Sequence, residues 1–148
     1  MRIATWNING VKARLDTATK WLSTANPDIV FLQETKSADE GFPAASFEDL
    51  GYNIAHHGQK GFNGVAIFSK LPLEEVTFGL PGDDGDVQAR FAEALVSVLG
   101  GAIRIGSLYL PNGNPVGSDA TSSILWSLAI IVVFAGLSIR KFNRSTVA

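Results

Sequence analysis

The chain has no cysteine. That excludes disulfides, thiolate metal sites and a cysteine nucleophile, and it fits a reducing compartment. The N-terminus, MRIATWNING, lacks an apolar run of the signal-peptide kind, so no leader is expected. Histidine is scarce: only His56 and His57 occur. Neighbours on a strand point to opposite faces, so this pair is read as structural or surface rather than as a shared metal site. Acidic residues are absent after Asp119. Residues 1–119 hold all 14 Asp and Glu against nine Lys and Arg, a net −5. Residues 120–148 hold only Arg140, Lys141 and Arg144, a net +3. A strongly positive footprint of the sort nucleic acid attracts is therefore missing from the overall charge. Any such partner must be met by a local basic rim, for which Lys12, Arg14, Lys36, Lys60 and Arg90 are candidates.

What is there divides in two. Residues 1–119 have the mixed composition of a globular domain. From Ala120 to Ile139 there is no charge, and the run includes LAIIVVFAGL. About 20 apolar residues in a helix span a bilayer core of roughly 30 Å. The reading is a truncated globular domain at 1–119, a hydrophobic transmembrane-like segment at 120–139 and a basic tail at 140–148. The positive-inside rule would put Arg140 and Lys141 on the cytoplasmic side.

Within 1–119 the pattern is α/β. Ile3–Ile8 reads as a strand. Val11, Leu15, Ala18, Leu22 and Ala25 recur at helical spacing, and Asn26-Pro27 ends that helix. Ile29–Leu32 is a short buried strand, and one helical turn is expected near Phe47–Leu50. Tyr52–His56 and Val65–Ser69 are strands either side of the Gly-rich GQKGFNG. Ala89–Leu99 and Ala102–Leu110 form a hairpin across Gly100-Gly101. Polar residues collect at strand ends: Asn7 and Asn9 after the first, Glu34 after the second, Tyr109 and Asn112 after the hairpin. A carboxylate two residues past a buried strand is either wet surface or a cation ligand. Spacing alone leaves that choice open.

Four stretches in order, TWNINGVKARL, LQETK, GFNGVAIFSK and LYLPNG, resemble the exodeoxyribonuclease III family. This is the abasic-site endonuclease branch of the endonuclease/exonuclease/phosphatase superfamily, and the resemblance covers residues 1–119. It implies the first half of a four-layer α/β sandwich, DNase I-like. It also implies Mg²⁺-assisted (or Mn²⁺-assisted) phosphodiester hydrolysis on double-stranded DNA with abasic sites, in the cytoplasm, as part of DNA repair. Carried over residue by residue, Glu34 is a metal ligand, Asn7 helps organise metal and phosphate, and Tyr109 contacts the scissile phosphate. Asn9, Lys12, Arg14, Lys36 and Asn112 line the substrate side. No oligomer is implied.

The resemblance stops at Asp119. The family's second half carries further aspartates, an asparagine and a terminal Asp-His pair, and no counterpart follows here. The expectation is a chain inactive as written, joined by fusion, frameshift or assembly error to a segment weakly resembling a permease's last helix. The alternatives are a non-enzymatic membrane-attached fragment, or another phosphodiesterase or phosphatase of the superfamily.

Overall fold

In the computed structural model the described residues are 1–82 and 85–111. A parallel pair begins the fold. β1 (Ile3–Asn7) lies beside β2 (Ile29–Gln33), in register from Ile3 opposite Ile29 to Asn7 opposite Gln33. Parallel neighbours need a crossover, and α1 (Leu15–Ala25) supplies it. Its Ala18 and Leu22 are buried, one turn apart on the face turned to the sheet. Asn26 ends the helix in the left-handed conformation, its N–H donating to Leu22 O. The expected helix from Val11 proves shorter: Lys12–Arg14 is a 3-10 turn and the α-helix starts at Leu15.

β3 (Asn53–His57) and β4 (Val65–Ser69) complete the first sheet in the order β1-β2-β4-β3. β4 is antiparallel to both neighbours and buried throughout, as its unbroken VAIF run requires. One face of this sheet packs Trp6, Val30, Leu32, Ala66 and Phe68 beneath α1 and the short α2 (Ala44–Glu48). Phe47 of α2 lies 4.7 Å from Phe68, ring centre to ring centre, and both are fully buried. Each such ring is worth about 1.5–3 kcal/mol of burial.

The other face meets a second sheet of order β5-β6-β7: β5 (Glu74–Phe78), β6 (Phe91–Val98) and β7 (Gly101–Leu108). Ala55, Val65 and Ile67 pack there against Ala92, Ala94 and Ile105. The hairpin is in register from Phe91 opposite Leu108 to Val98 opposite Gly101. Small Ala side chains on β6 let the sheets approach closely. Helix layer, sheet and second sheet give the mixed α/β, DNase I-like sandwich. β5 was not expected from the sequence. Among the described residues no helix is long and apolar enough to cross a membrane. The helix expected over 120–139 lies outside the described residues.

Candidate active site

A row of backbone hydrogen bonds runs along one end of both sheets. Ile8 N donates to Gln33 O (2.9 Å), Gly10 N to Glu34 O (2.7 Å) and Val11 N to Thr35 O (3.0 Å). On the other flank, Thr35 N donates to Gly64 O (3.1 Å) and Lys36 N to Asn63 O (3.0 Å). Gly64 N then reaches Ala89 O (2.9 Å), and Tyr109 N reaches Arg90 O (2.8 Å). Stretches of chain up to about a hundred positions apart are thereby stitched into one rim. β2 itself stops at Gln33 because Glu34 and Lys36 have φ of +54° and +52°. Non-glycine residues adopt that left-handed conformation at a cost, and it clusters where function requires it.

The two reversals bring one carboxylate to the middle of the rim. Asn7 Nδ2 donates to Glu34 Oε1 at 2.8 Å. Lys36 Nζ lies 2.9 Å from Glu34 Oε2 and also donates to Asn9 Oδ1. Asn7 Oδ1 accepts from Asn9 N at 3.2 Å. The Asn7 amide, and after it Lys36, hold the Glu34 carboxyl below its usual range against the opposing effect of burial. Burial, and after it the interaction with Glu34, raise the Tyr109 phenol above its usual value, so it stays protonated and can donate.

Of the residues expected at the site, Asn7, Asn9, Glu34, Lys36 and Tyr109 come together. Arg14 joins through its guanidinium, which donates to Asn9 O and so braces the loop. Lys12 is exposed and stands beside Gly41, one step away from the cluster. Asn112 lies outside the described residues. Of the other rim candidates, Arg90 is held by both Asp86 carboxylate oxygens at 3.2 Å, so its charge is already partnered.

Sequence reasoning missed two supports. Gln33 spans the sheets, sharing hydrogen bonds with Thr5 and reaching Ser107 Oγ at 3.5 Å, while that hydroxyl donates to Leu32 O. A serine on the inward face of β7 is the only signal of this link. The second support is His56, whose Nε2 is 2.9 Å from Thr35 Oγ1 and whose ring stacks on Phe42. His57 turns the other way and stacks on Phe78, as alternation along the strand demanded.

Burial pushes His56 down to about 4, with His57 pushing the same way and Asp39 opposing. The folded value is below the ordinary 6.5, so the stability this neutral ring carries is complete above about pH 6.5. It is lost as the pH falls towards 4. The shift corresponds to about 3 kcal/mol. The unfolding free energy from urea titrations should fall between pH 7 and pH 4.5 by about 2 kcal/mol more in the native chain than in His56→Phe. Equal acid sensitivity in the two would contradict it.

Two packed β-sheets under a helical layer thus gather a carboxylate, amides and a phenol on one rim. The comparisons with known proteins narrow this. The Endonuclease/Exonuclease/phosphatase family model matches residues 4–138, and the chain belongs to that family. It is 38% identical over 113 residues to exodeoxyribonuclease III of Haemophilus influenzae, covering 76% of this chain and 42% of that protein. Among solved structures it is similar to the 3'-5' exonuclease (NExo) from Neisseria meningitidis. There the TM-score is 0.77 at 36% identity, over 88% of this chain and 50% of the other. An AP endonuclease from Archaeoglobus fulgidus gives a TM-score of 0.75 at 34% identity, over 85% and 48%. The chain thus spans about half or less of each of these relatives.

Proposed function

We propose that residues 1–109 form the metal- and phosphate-facing part of a phosphodiesterase that acts on double-stranded DNA at abasic sites. The observation that carries this reading is Glu34: a left-handed, half-buried carboxylate aimed inward among Asn7, Lys36 and Tyr109.

The donor set fits Mg²⁺ or Mn²⁺ in part. Such an ion takes oxygen ligands and is commonly held by one or two carboxylates, with water and phosphate filling the rest. Glu34 supplies one carboxylate, and each of its oxygens keeps a lone pair beyond those used by Asn7 and Lys36. Asn7 Oδ1, which accepts from Asn9 N, is a neutral oxygen of the same cluster. Among the described residues no three His, Asp or Glu converge. When bound, the ion would polarise a phosphoryl oxygen and neutralise charge on the leaving oxygen. Asn7 keeps the Glu34 carboxylate turned towards that position. Lys36 balances its charge and holds Asn9. Tyr109, protonated, donates its hydroxyl to a phosphate oxygen. No described side chain beside Glu34 is free to deprotonate a water, a step typically worth about 10²–10⁴-fold. Incision by the 148 residues alone is therefore expected to be slow.

The test is a duplex with a single abasic site, with Mg²⁺ and with EDTA. Weak, EDTA-sensitive incision should fall about tenfold or more in Tyr109→Phe, because one charge-assisted donor to the phosphate is lost. Incision that ignores EDTA, or is unaltered in Tyr109→Phe, would count against the reading. Hydrolysis of a phosphomonoester but not of the duplex would favour a phosphatase instead.

The uncharged run 120–139 supports a second assignment: a membrane-inserting segment. Fused behind a soluble reporter, residues 120–148 should carry it into carbonate-resistant membranes. A reporter that stays soluble would refute this.

A further inference from the structure

The loop that presents Glu34 rests on a small polar assembly outside the site itself, with Thr35 and the His56 side chain buried and Asp39 at its exposed edge. His56 is on β3, on the helix-covered face of the sheet, with its side chain 7% exposed. Its Nε2 meets Thr35 Oγ1 at 2.9 Å. Its Nδ1 comes within 2.9 Å of Asp39 Oδ1, off the ideal hydrogen-bond line, and has no other partner. A carboxylate only accepts, so the Nδ1 proton belongs on the Asp39 side. Nε2 is then an acceptor, and the Thr35 hydroxyl donates to it. Thr35 is 1% exposed and sits between the two left-handed residues, Glu34 and Lys36. The floor is equally tight. A Cβ on Gly58 would lie 2.2 Å from Ser37 O and 2.4 Å from His56 Cε1. The chain from 35 to 39 therefore packs directly on Gly58.

We propose that His56, gripped between Asp39 and Thr35, is a positioning residue that holds Glu34 and Lys36 in their left-handed backbone conformation and so aims the Glu34 carboxylate. The physical reason is direct. A left-handed non-glycine residue persists only when its surroundings over-determine it. Backbone bonds at Glu34, Thr35 and Lys36 fix the loop's two flanks, and the Thr35 side chain anchors it from beneath. Loss of the His56 acceptor leaves that hydroxyl buried and unpaired, and relaxation of residues 34–36 towards ordinary φ is the escape. The effect on cation affinity rests on the reading of Glu34 given above; the backbone effect does not.

The experiment uses the full chain in mild detergent and four proteins: native, His56→Phe, Thr35→Val and Thr35→Ser. His56→Phe retains a ring to stack on Phe42 but loses both nitrogens. Thr35→Ser retains the hydroxyl. Without metal, amide shifts and N–H to Hα couplings of Glu34 and Lys36 should move together in His56→Phe and Thr35→Val. They should stay native in Thr35→Ser. With Mn²⁺, relaxation centred on Glu34 should require about tenfold more ion in the first two variants, as when a group supporting a metal ligand is lost. Unmoved Glu34 and Lys36 signals in Thr35→Val overturn the proposal, as does failure of Thr35→Ser to restore them. If His56→Phe fails to fold, the two Thr35 variants decide alone. A native chain without any Mn²⁺ response refutes the cation reading of Glu34, and the metal-free couplings still decide the role of His56.

Discussion

Glu34→Gln should abolish the response of the 34–36 loop to Mg²⁺ or Mn²⁺. The substitution keeps the shape and an oxygen but removes the charge. Asn7 Nδ2 can still find an acceptor, so the loop should keep its fold. Lys36, now without its ion pair, should turn to Asn9 and solvent. Losing a group that merely supports a metal ligand costs about 10–100-fold in affinity, so losing the one carboxylate that the described residues bring to the cluster should cost at least that. Titration of amide shifts at residues 34–36 reads the change directly. A Gln variant that binds as the native chain does would place the cation elsewhere.

Gly64→Ala should be severely destabilising, and for two separable reasons. Gly64 has φ of +91°, and a Cβ there would lie 2.1 Å from Thr35 Oγ1 and 3.3 Å from Lys36 N. Left-handed backbone costs an L residue about 1–2 kcal/mol. Forcing a methyl into a filled site costs a further 1–3 kcal/mol or so. Against a domain stability of about 5–15 kcal/mol, the combined loss of roughly 3 kcal/mol should lower the urea midpoint markedly. Gly61→Ala is the control: φ there is +84° but nothing lies within 4 Å, so only the backbone share should appear. Equal losses at both positions would show that the contact with Thr35 contributes nothing.

Much of this molecule could be read before its structure was known, because its information is local. Strands β2 and β4 have unbroken apolar runs, β1 sets Ile3, Ala4 and Trp6 around Thr5, and Gly100-Gly101 marks the hairpin. The site residues follow strand ends in motifs that hold together only as a set. β5 escaped because EEVTF opens on two charges and alternates only over Val76, Thr77 and Phe78, too short a stretch to signal a strand. It is an edge strand exposed along its length, and its charges are answered across strands, Glu75 by Arg104 and Glu74 by Ser97. The start of α1 was misjudged for a similar reason: Val11 has helical spacing but is spent on the rim, donating its N–H to Thr35 O. Nothing in the sequence could join His56 to Thr35 or Gln33 to Ser107. Those partners are 21 and 74 positions apart, and only the folded sheets bring them together.

The rim of backbone hydrogen bonds has a kinetic meaning as well. Ile8, Gly10, Val11, Thr35, Lys36 and Gly64 each donate across the rim, so the 34–36 loop cannot lift without breaking bonds on both its flanks. Such amides should exchange with deuterium together, at one rate, as a single latch. Solvent-facing loop tips such as residues 60–62 should exchange far sooner. The carboxylate would then be either fully presented or wholly lost, with no half-formed arrangement between.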